Sequence, residues 1–196
     1  MCSKKLIAIT GGIGSGKSVV SAILLNMSYP VYDCDYNAKR LMKISPIVKH
    51  DLTSCFGDDI YNANGNINNT LLSSIIFNNH DALTLVNSIV HPVVKDDIIN
   101  WHNSCDKQLH FVETAILTEA GVHNMVDEVW NVVAPVETRI ARVIRRNNTT
   151  RDKVMERINS QSISLKEVTV PVKNIDNDGN SAILPQIIKL LNDVKN

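Results

Sequence analysis

The 196-residue chain carries 20 Lys and Arg against 20 Asp and Glu, so no net field draws it toward nucleic acid or an anionic membrane surface. Its length fits one compact α/β domain with an attached lobe or lid, and no apolar run is long enough for a membrane-crossing helix. Cys2, Cys34, Cys55 and Cys105 are far apart and His50, His80, His91, His102, His110 and His123 lack ligand spacing, which disfavours a disulfide frame or a zinc cluster and fits a reducing, cytoplasmic setting.

The apolar run Leu6–Thr10 predicts a buried strand, and Gly11-Gly12-Ile13-Gly14-Ser15-Gly16-Lys17-Ser18 follows it at once. This matches G-x-x-x-x-G-K-[ST], the loop that wraps a polyphosphate between a strand and a helix. Val20, Ile23, Leu24 and Met27 supply the helical spacing behind it. The nucleoside-triphosphate site is therefore expected on Gly12, Ile13, Gly14, Ser15, Gly16, Lys17, Ser18 and Val19. Backbone N–H groups and the helix N-terminus face the anion, Lys17 reaches the β- and γ-phosphates, and the Ser18 hydroxyl enters a magnesium shell.

Val31-Tyr32-Asp33-Cys34-Asp35 reads as a second strand or its carboxyl end. Strand alternation puts Asp33 and Asp35 on one side, where ligands gather in open parallel sheets. Two acids there can orient magnesium and take a proton from a hydroxyl; the alternative is an Asp N-cap on a helix starting near Tyr36. From about Asn37 to Gln108 the pattern is helical, with breaks at Pro46, Gly57, Asn64-Gly65 and Pro92. This is too long for a simple crossover and predicts a helical insertion that holds a second substrate. The Asn-rich 62–69 segment reads as a turn and a helix start. His91, beside Pro92, is either a helix-end or packed side chain, or a ligand.

Phe111–Leu117 predicts the third strand and its exit, with Glu113 at the same carboxyl edge; an acid there orients a metal-bound water or pairs with a cation. Glu128–Ala134 predicts a fourth strand. The basic stretch after it includes Arg139, Arg142, Arg145, Arg146, Arg151 and Arg157. Arg142 and Arg146, four residues apart, share a helix face. They form either a solvated basic surface or a lid that grips phosphoryl oxygens. A last strand is expected near Val170–Ile175, then a loop at Asp176–Asn180 beside the phosphate loop, then an amphipathic helix from Ile183 to Val194.

The reading is an α/β fold of the phosphate-loop kinase type: a parallel sheet of about five strands flanked by helices, with a helical acceptor-binding insertion and an Arg-rich helical lid. Residues 1–35, 109–138 and 168–196 would form the nucleotide-binding core, 36–108 the acceptor lobe and 139–167 the lid. A switch-type hydrolase fits poorly, because N-K-x-D is absent and D-x-x-G occurs only at Asp176–Gly179. A dinucleotide-binding fold lacks its final glycine. A carboxylate at the acceptor favours an alcohol, since a phosphate acceptor needs no base.

Several segments together resemble the dephospho-CoA kinase family. Thr10–Ser18 is similar to its N-terminal signature, and Asp33-Cys34-Asp35 with Ala38 and Leu41 to its D-x-D-x-x-A-x-x-L. His91-Pro92 resembles its H-P pair, and Glu113–Glu119 its D-x-P-L-L-x-E, with Glu for Asp and Ala115 for proline. Arg142, Arg146 and Arg157-Ile158-Asn159-Ser160-Gln161 resemble its lid motif, and Ile175–Gly179 its I-x-N-x-G loop. The resemblance implies transfer of the ATP γ-phosphoryl group to the ribose 3′-hydroxyl of dephospho-CoA, with Mg²⁺, and requires neither nucleic acid, membrane nor an obligate protein partner. It implies Asp35 as catalytic base, Lys17, Arg142 and Arg146 as charge stabilisers, and Ser18 as magnesium ligand. Asn177 and Gly179 would lie by the adenine, and Thr10, Asp33, Asp35, His91 and Glu113 would bind the acceptor. A shikimate-type alcohol kinase is the alternative; it needs a glycine-rich loop after the third strand, where this chain has none.

Overall fold

The computed structural model describes residues 4–77, 79–161 and 165–195. Cys2 and the lid's Ser162–Ser164 lie outside them. The described chain divides into two compact units, Met1–Tyr32 with Cys105–Asn196, and Asp33–Ser104.

The first unit is built on a five-stranded sheet. Its strands are β1 (Lys5–Thr10), β2 (Val31–Asp33), β3 (Leu109–Glu113), β4 (Glu128–Val133) and β5 (Val172–Asp176), in the order β2-β3-β1-β4-β5. β1 pairs in parallel with β3 and β4, and β4 with β5. The central strand β1 is buried from Leu6 onward, the near-continuous apolar run expected of a parallel strand covered on both faces. Helix α1 (Lys17–Asn26) and the C-terminal helix α8 (Ile183–Lys195) supply Val20, Leu24, Ile187, Leu190, Leu191 and Val194 to the core around Phe111 and Trp130. Those two rings lie 5.1 Å apart in a tilted arrangement, one of the offset geometries that ring quadrupoles favour.

The Asp33–Ser104 unit is helical: α2 (Cys34–Ile44), α3 (Pro46–Phe56), α4 (Asn69–Ile76) and α5 (His80–Ser104). Its punctuation follows local chemistry. Ser45 accepts the Val48 N–H and Pro46 opens α3, where proline's missing N–H costs nothing. Gly57 closes α3 at φ 86°. Within the Asn-rich turn, Asn62 accepts from Asn64 and Asn66, and Asn68 caps α4. Pro92 breaks no helix: α5 runs for 25 residues straight through it. Ala82, Val86, Val90, Val94 and Ile98 form one buried stripe at four-residue spacing on both sides of the proline. Burial along that stripe outweighs the one backbone hydrogen bond the proline forgoes.

Two further helices follow β4 in the first unit, α6 (Val136–Asn147) and α7 (Arg151–Ser160). They turn back on each other through Asn148 at φ 47° and close on Ile140, Val143 and Val154. Arg151 also grips Glu137 through two hydrogen bonds of 2.7 Å. Both side chains are exposed, so the apolar contacts do more to hold the hairpin.

Candidate active site

The loop after β1 has the conformation its glycines permit. Gly14 (φ 77°) and Gly16 (φ 100°) are left-handed, and Gly16 forms the N-cap of α1. A Cβ on Gly16 would overlap Asn177 Nδ2, and one on Gly14 would lie 2.6 Å from the Arg139 carbonyl, so these positions require glycine for both shape and space. Lys17 Nζ donates to the Gly11 carbonyl at 2.8 Å, which keeps its cation over the loop. Ser18 follows in the first turn of α1. The hydroxyls of Thr10, at the end of β1, and of Ser15, within the loop, are each buried without a hydrogen-bond partner.

Four more side chains of the same unit converge on this loop. Asn177, just past β5, is 7% exposed; its Nδ2 donates to the Ser15 carbonyl at 2.7 Å, and its Oδ1 accepts Arg142 Nη2 at 3.1 Å. Arg142 Nη1 reaches the same Ser15 carbonyl at 3.4 Å. The Asn177 backbone N–H pairs with Val133 O, fixing the β5 loop against the end of β4. Arg139, one helical turn before Arg142, donates from Nε to the Ile13 carbonyl at 2.9 Å, and burial pushes its guanidinium below its ordinary value. Gln161 at the end of α7 accepts the Ile13 N–H at 2.7 Å.

The expected residues thus separate into distinct placements. Thr10, the loop, Arg142, Asn177 and Glu113 all belong to the sheet unit. Glu113 ends β3 in register with Ile9, and the Thr114 N–H donates to the Ile9 carbonyl, which places the residue beside the strand that leads into the loop. Gly179 lies two residues beyond Asn177 at φ 100° with open space around it. Arg146 shares a helix face with Arg142 but not its partners: it is exposed and bonded to Asn147 Oδ1. In the helical unit, Asp33 and Asp35 do not flank one side of a strand; the alternative reading, an Asp N-cap, is the one that forms. β2 stops at Asp33, whose carboxylate accepts the Tyr36 N–H as N-cap of α2, and Asp35 stands in the helix's first turn. The chain turns there because an Asp cap satisfies an orphan amide while an acid in the first turn complements the helix dipole. His91 lies inside α5 rather than at a helix end.

The sequence marks Gln161 only as part of a lid motif and Arg139 only as part of a basic stretch, and gives neither a partner in the loop. Each meets the loop across more than a hundred residues of chain, a relation no local spacing reveals.

A glycine-cradled loop, its lysine and an arginine of the α6–α7 hairpin thus meet in one place. A dephospho-CoA kinase family model matches residues 5–182. The chain belongs to the dephospho-CoA kinase family. A dephospho-CoA kinase of Porphyromonas gingivalis is 38% identical over 193 residues, covering 96% of this chain and 94% of the relative. Its Bacteroides fragilis counterpart is 37% identical over 187 residues, covering 94% and 90%. A crystal structure from Thermus thermophilus superposes with a TM-score of 0.78 at 28% identity, covering 98% of this chain and 96% of that one. Dephospho-CoA kinase membership also separates this chain from the shikimate-type reading, in keeping with Glu113–Glu119, which lacks a glycine pair.

Proposed function

We propose that this protein transfers the γ-phosphoryl group of ATP to the ribose 3′-hydroxyl of dephospho-CoA, the last step of coenzyme A synthesis. The observation that carries the reading is the convergence of Arg142 and Asn177 on the Ser15 carbonyl of a complete phosphate loop, in a chain with family similarity along nearly its whole length. A loop held this way has its donors aimed before substrate arrives, which is where electrostatic catalysis gains most.

The roles follow from the chemistry of each group. Loop amides and the α1 N-terminus receive the β- and γ-phosphates. Lys17 and Arg142 balance charge that builds as the terminal phosphorus separates from its leaving oxygen, and Arg146 joins them from the same helix face when the hairpin closes. Asp35 accepts the proton of the 3′-hydroxyl, whose oxygen forms the new bond to phosphorus. The bond from phosphorus to the β–γ bridging oxygen breaks, and ADP departs with that electron pair. Thr10, Asp33, His91 and Glu113 orient the acceptor, and Gly179 leaves room for the adenine.

Magnesium fits as a companion of the nucleotide. Ser18 offers a hard hydroxyl oxygen at the loop's end, and no cluster of three or more His, Cys, Asp or Glu occurs among the described residues, as suits an ion bound chiefly by phosphate and water oxygens. When bound, it neutralises charge on the β- and γ-phosphate oxygens.

The test is an ADP-release assay with magnesium ATP and separate acceptors: dephospho-CoA, shikimate and nucleoside monophosphates. Turnover with dephospho-CoA alone supports the reading; turnover with another acceptor and none with dephospho-CoA overturns it.

A further inference from the structure

Ile13 has a different environment from the rest of the phosphate loop. Its N–H is held by Gln161 Oε1 (2.7 Å) and its carbonyl by Arg139 Nε (2.9 Å). Its side chain packs on the hairpin cluster of Ile140, Val143 and Val154. Gln161 is itself fixed at the end of α7 by a hydrogen bond from its backbone N–H to the Arg157 carbonyl. Arg139 lies against Gly12 so closely that a Cβ there would overlap its guanidinium. The two helices of the hairpin therefore hold Ile13 on both sides, Gln161 through the peptide before it and Arg139 through the peptide after it.

We propose that Gln161 and Arg139 are positioning residues that clamp the two peptide planes flanking Ile13 and so couple the hairpin to the shape of the phosphate loop. The loop is rich in glycine and, left alone, samples many backbone states. Holding the planes on both sides of Ile13 restrains its φ and ψ before the nucleotide binds, so ordering costs less on binding. The inference rests on the phosphoryl-transfer reading but not on the identity of the acceptor.

The test uses Gln161→Met, which keeps length and removes the acceptor, and Arg139→Met, alone and combined. Two readouts avoid the acceptor alcohol: calorimetric binding of ADP, and hydrogen exchange of the Ile13 amide in the nucleotide-free protein. Losing the bond to a half-buried N–H is expected to weaken ADP binding about tenfold, a ~1.4 kcal/mol effect. Ile13 exchange should accelerate by a similar factor in Gln161→Met, with the KM for dephospho-CoA within about twofold of wild type. The double variant should fall short of the product of the two single effects, because both act on the backbone of one residue. Unchanged or tighter ADP binding, unaltered exchange at Ile13, or fully multiplicative effects would each overturn the clamp. Tighter binding would mark Gln161 as a latch that nucleotide must displace. If Gln161→Met does not fold, Gln161→Asn, too short to reach Ile13, takes its place in the same measurements with the same expected directions. Loss of dephospho-CoA turnover in wild type, with these readouts intact, would fault the acceptor assignment and leave the clamp standing.

Discussion

Asn177→Leu removes the polar end of a buried side chain while keeping its branched shape. In the folded protein that end makes two hydrogen bonds, one to the Ser15 carbonyl at 2.7 Å and one from the Arg142 guanidinium at 3.1 Å. A neutral bond of this kind contributes about 1 kcal/mol and a charge-assisted one about 1.5–3. Arg142 retains its longer contact with the Ser15 carbonyl, so part of the second contribution survives and the expected loss is roughly 2–3 kcal/mol. For a chain of this size each kcal/mol lowers the melting temperature by about 2–4 °C, which gives a drop of about 4–12 °C. The same change frees Arg142 from its orienting acceptor, so kcat/KM for ATP should fall by about ten- to a hundredfold. Differential scanning calorimetry and steady-state kinetics read the two effects. A variant that melts within about a degree of wild type and retains its kcat/KM would show that the Asn177 bridge neither holds the loop nor aims the arginine.

Asp35→Asn should lower kcat by about two to four orders of magnitude while the Kd for ATP stays near wild type; ordinary turnover would remove the base assignment. Arg142→Ala should depress kcat/KM for ATP more than Arg146→Ala does, because only Arg142 is already docked on the loop; equal losses in the two variants would contradict the distinction. Asp178, in the loop after β5, accepts backbone N–H groups from Ser181 and Asn180 that hold its carboxyl below the usual 3.8. Its stabilisation is thus present above that value and is lost as pH falls through the lowered one. Asp178→Asn should therefore flatten the acid limb of the melting temperature against pH below about pH 4; an unchanged slope there would refute the linkage.

The parts of the fold that follow from local chemistry were legible in the sequence. Leu6–Thr10 has to be a buried strand, and Gly14 and Gly16 have to adopt left-handed backbone, so the phosphate loop is visible without coordinates. Ser45-Pro46 and Gly57 likewise mark helix ends by their own conformational limits. Pro92 misleads because its local preference is overridden by the stripe from Val86 to Ile98, whose burial depends on the rest of the helical unit. The Asp33–Asp35 segment misleads for a related reason: a three-residue strand and a capped helix share the same acids, and hydrogen bonding at the Tyr36 amide decides between them. The contacts of Arg139, Gln161 and Asn177 to the loop span 126, 148 and 162 residues of chain. The sequence places the Asp176–Asn180 loop beside the phosphate loop, but the partners of these side chains, such as the Ser15 carbonyl for Asn177, emerge only with the sheet order β3-β1-β4-β5.

A crystal structure with dephospho-CoA and a non-hydrolysable ATP analogue bound together would test the proposed chemistry at its reacting atoms. The ribose 3′-oxygen should lie about 3–3.5 Å from the γ-phosphorus, in line with the bond to be broken, and within hydrogen-bond reach of the Asp35 carboxylate. A 3′-oxygen turned away from that phosphorus, with Asp35 bonded elsewhere in the closed complex, would contradict phosphoryl transfer by this route.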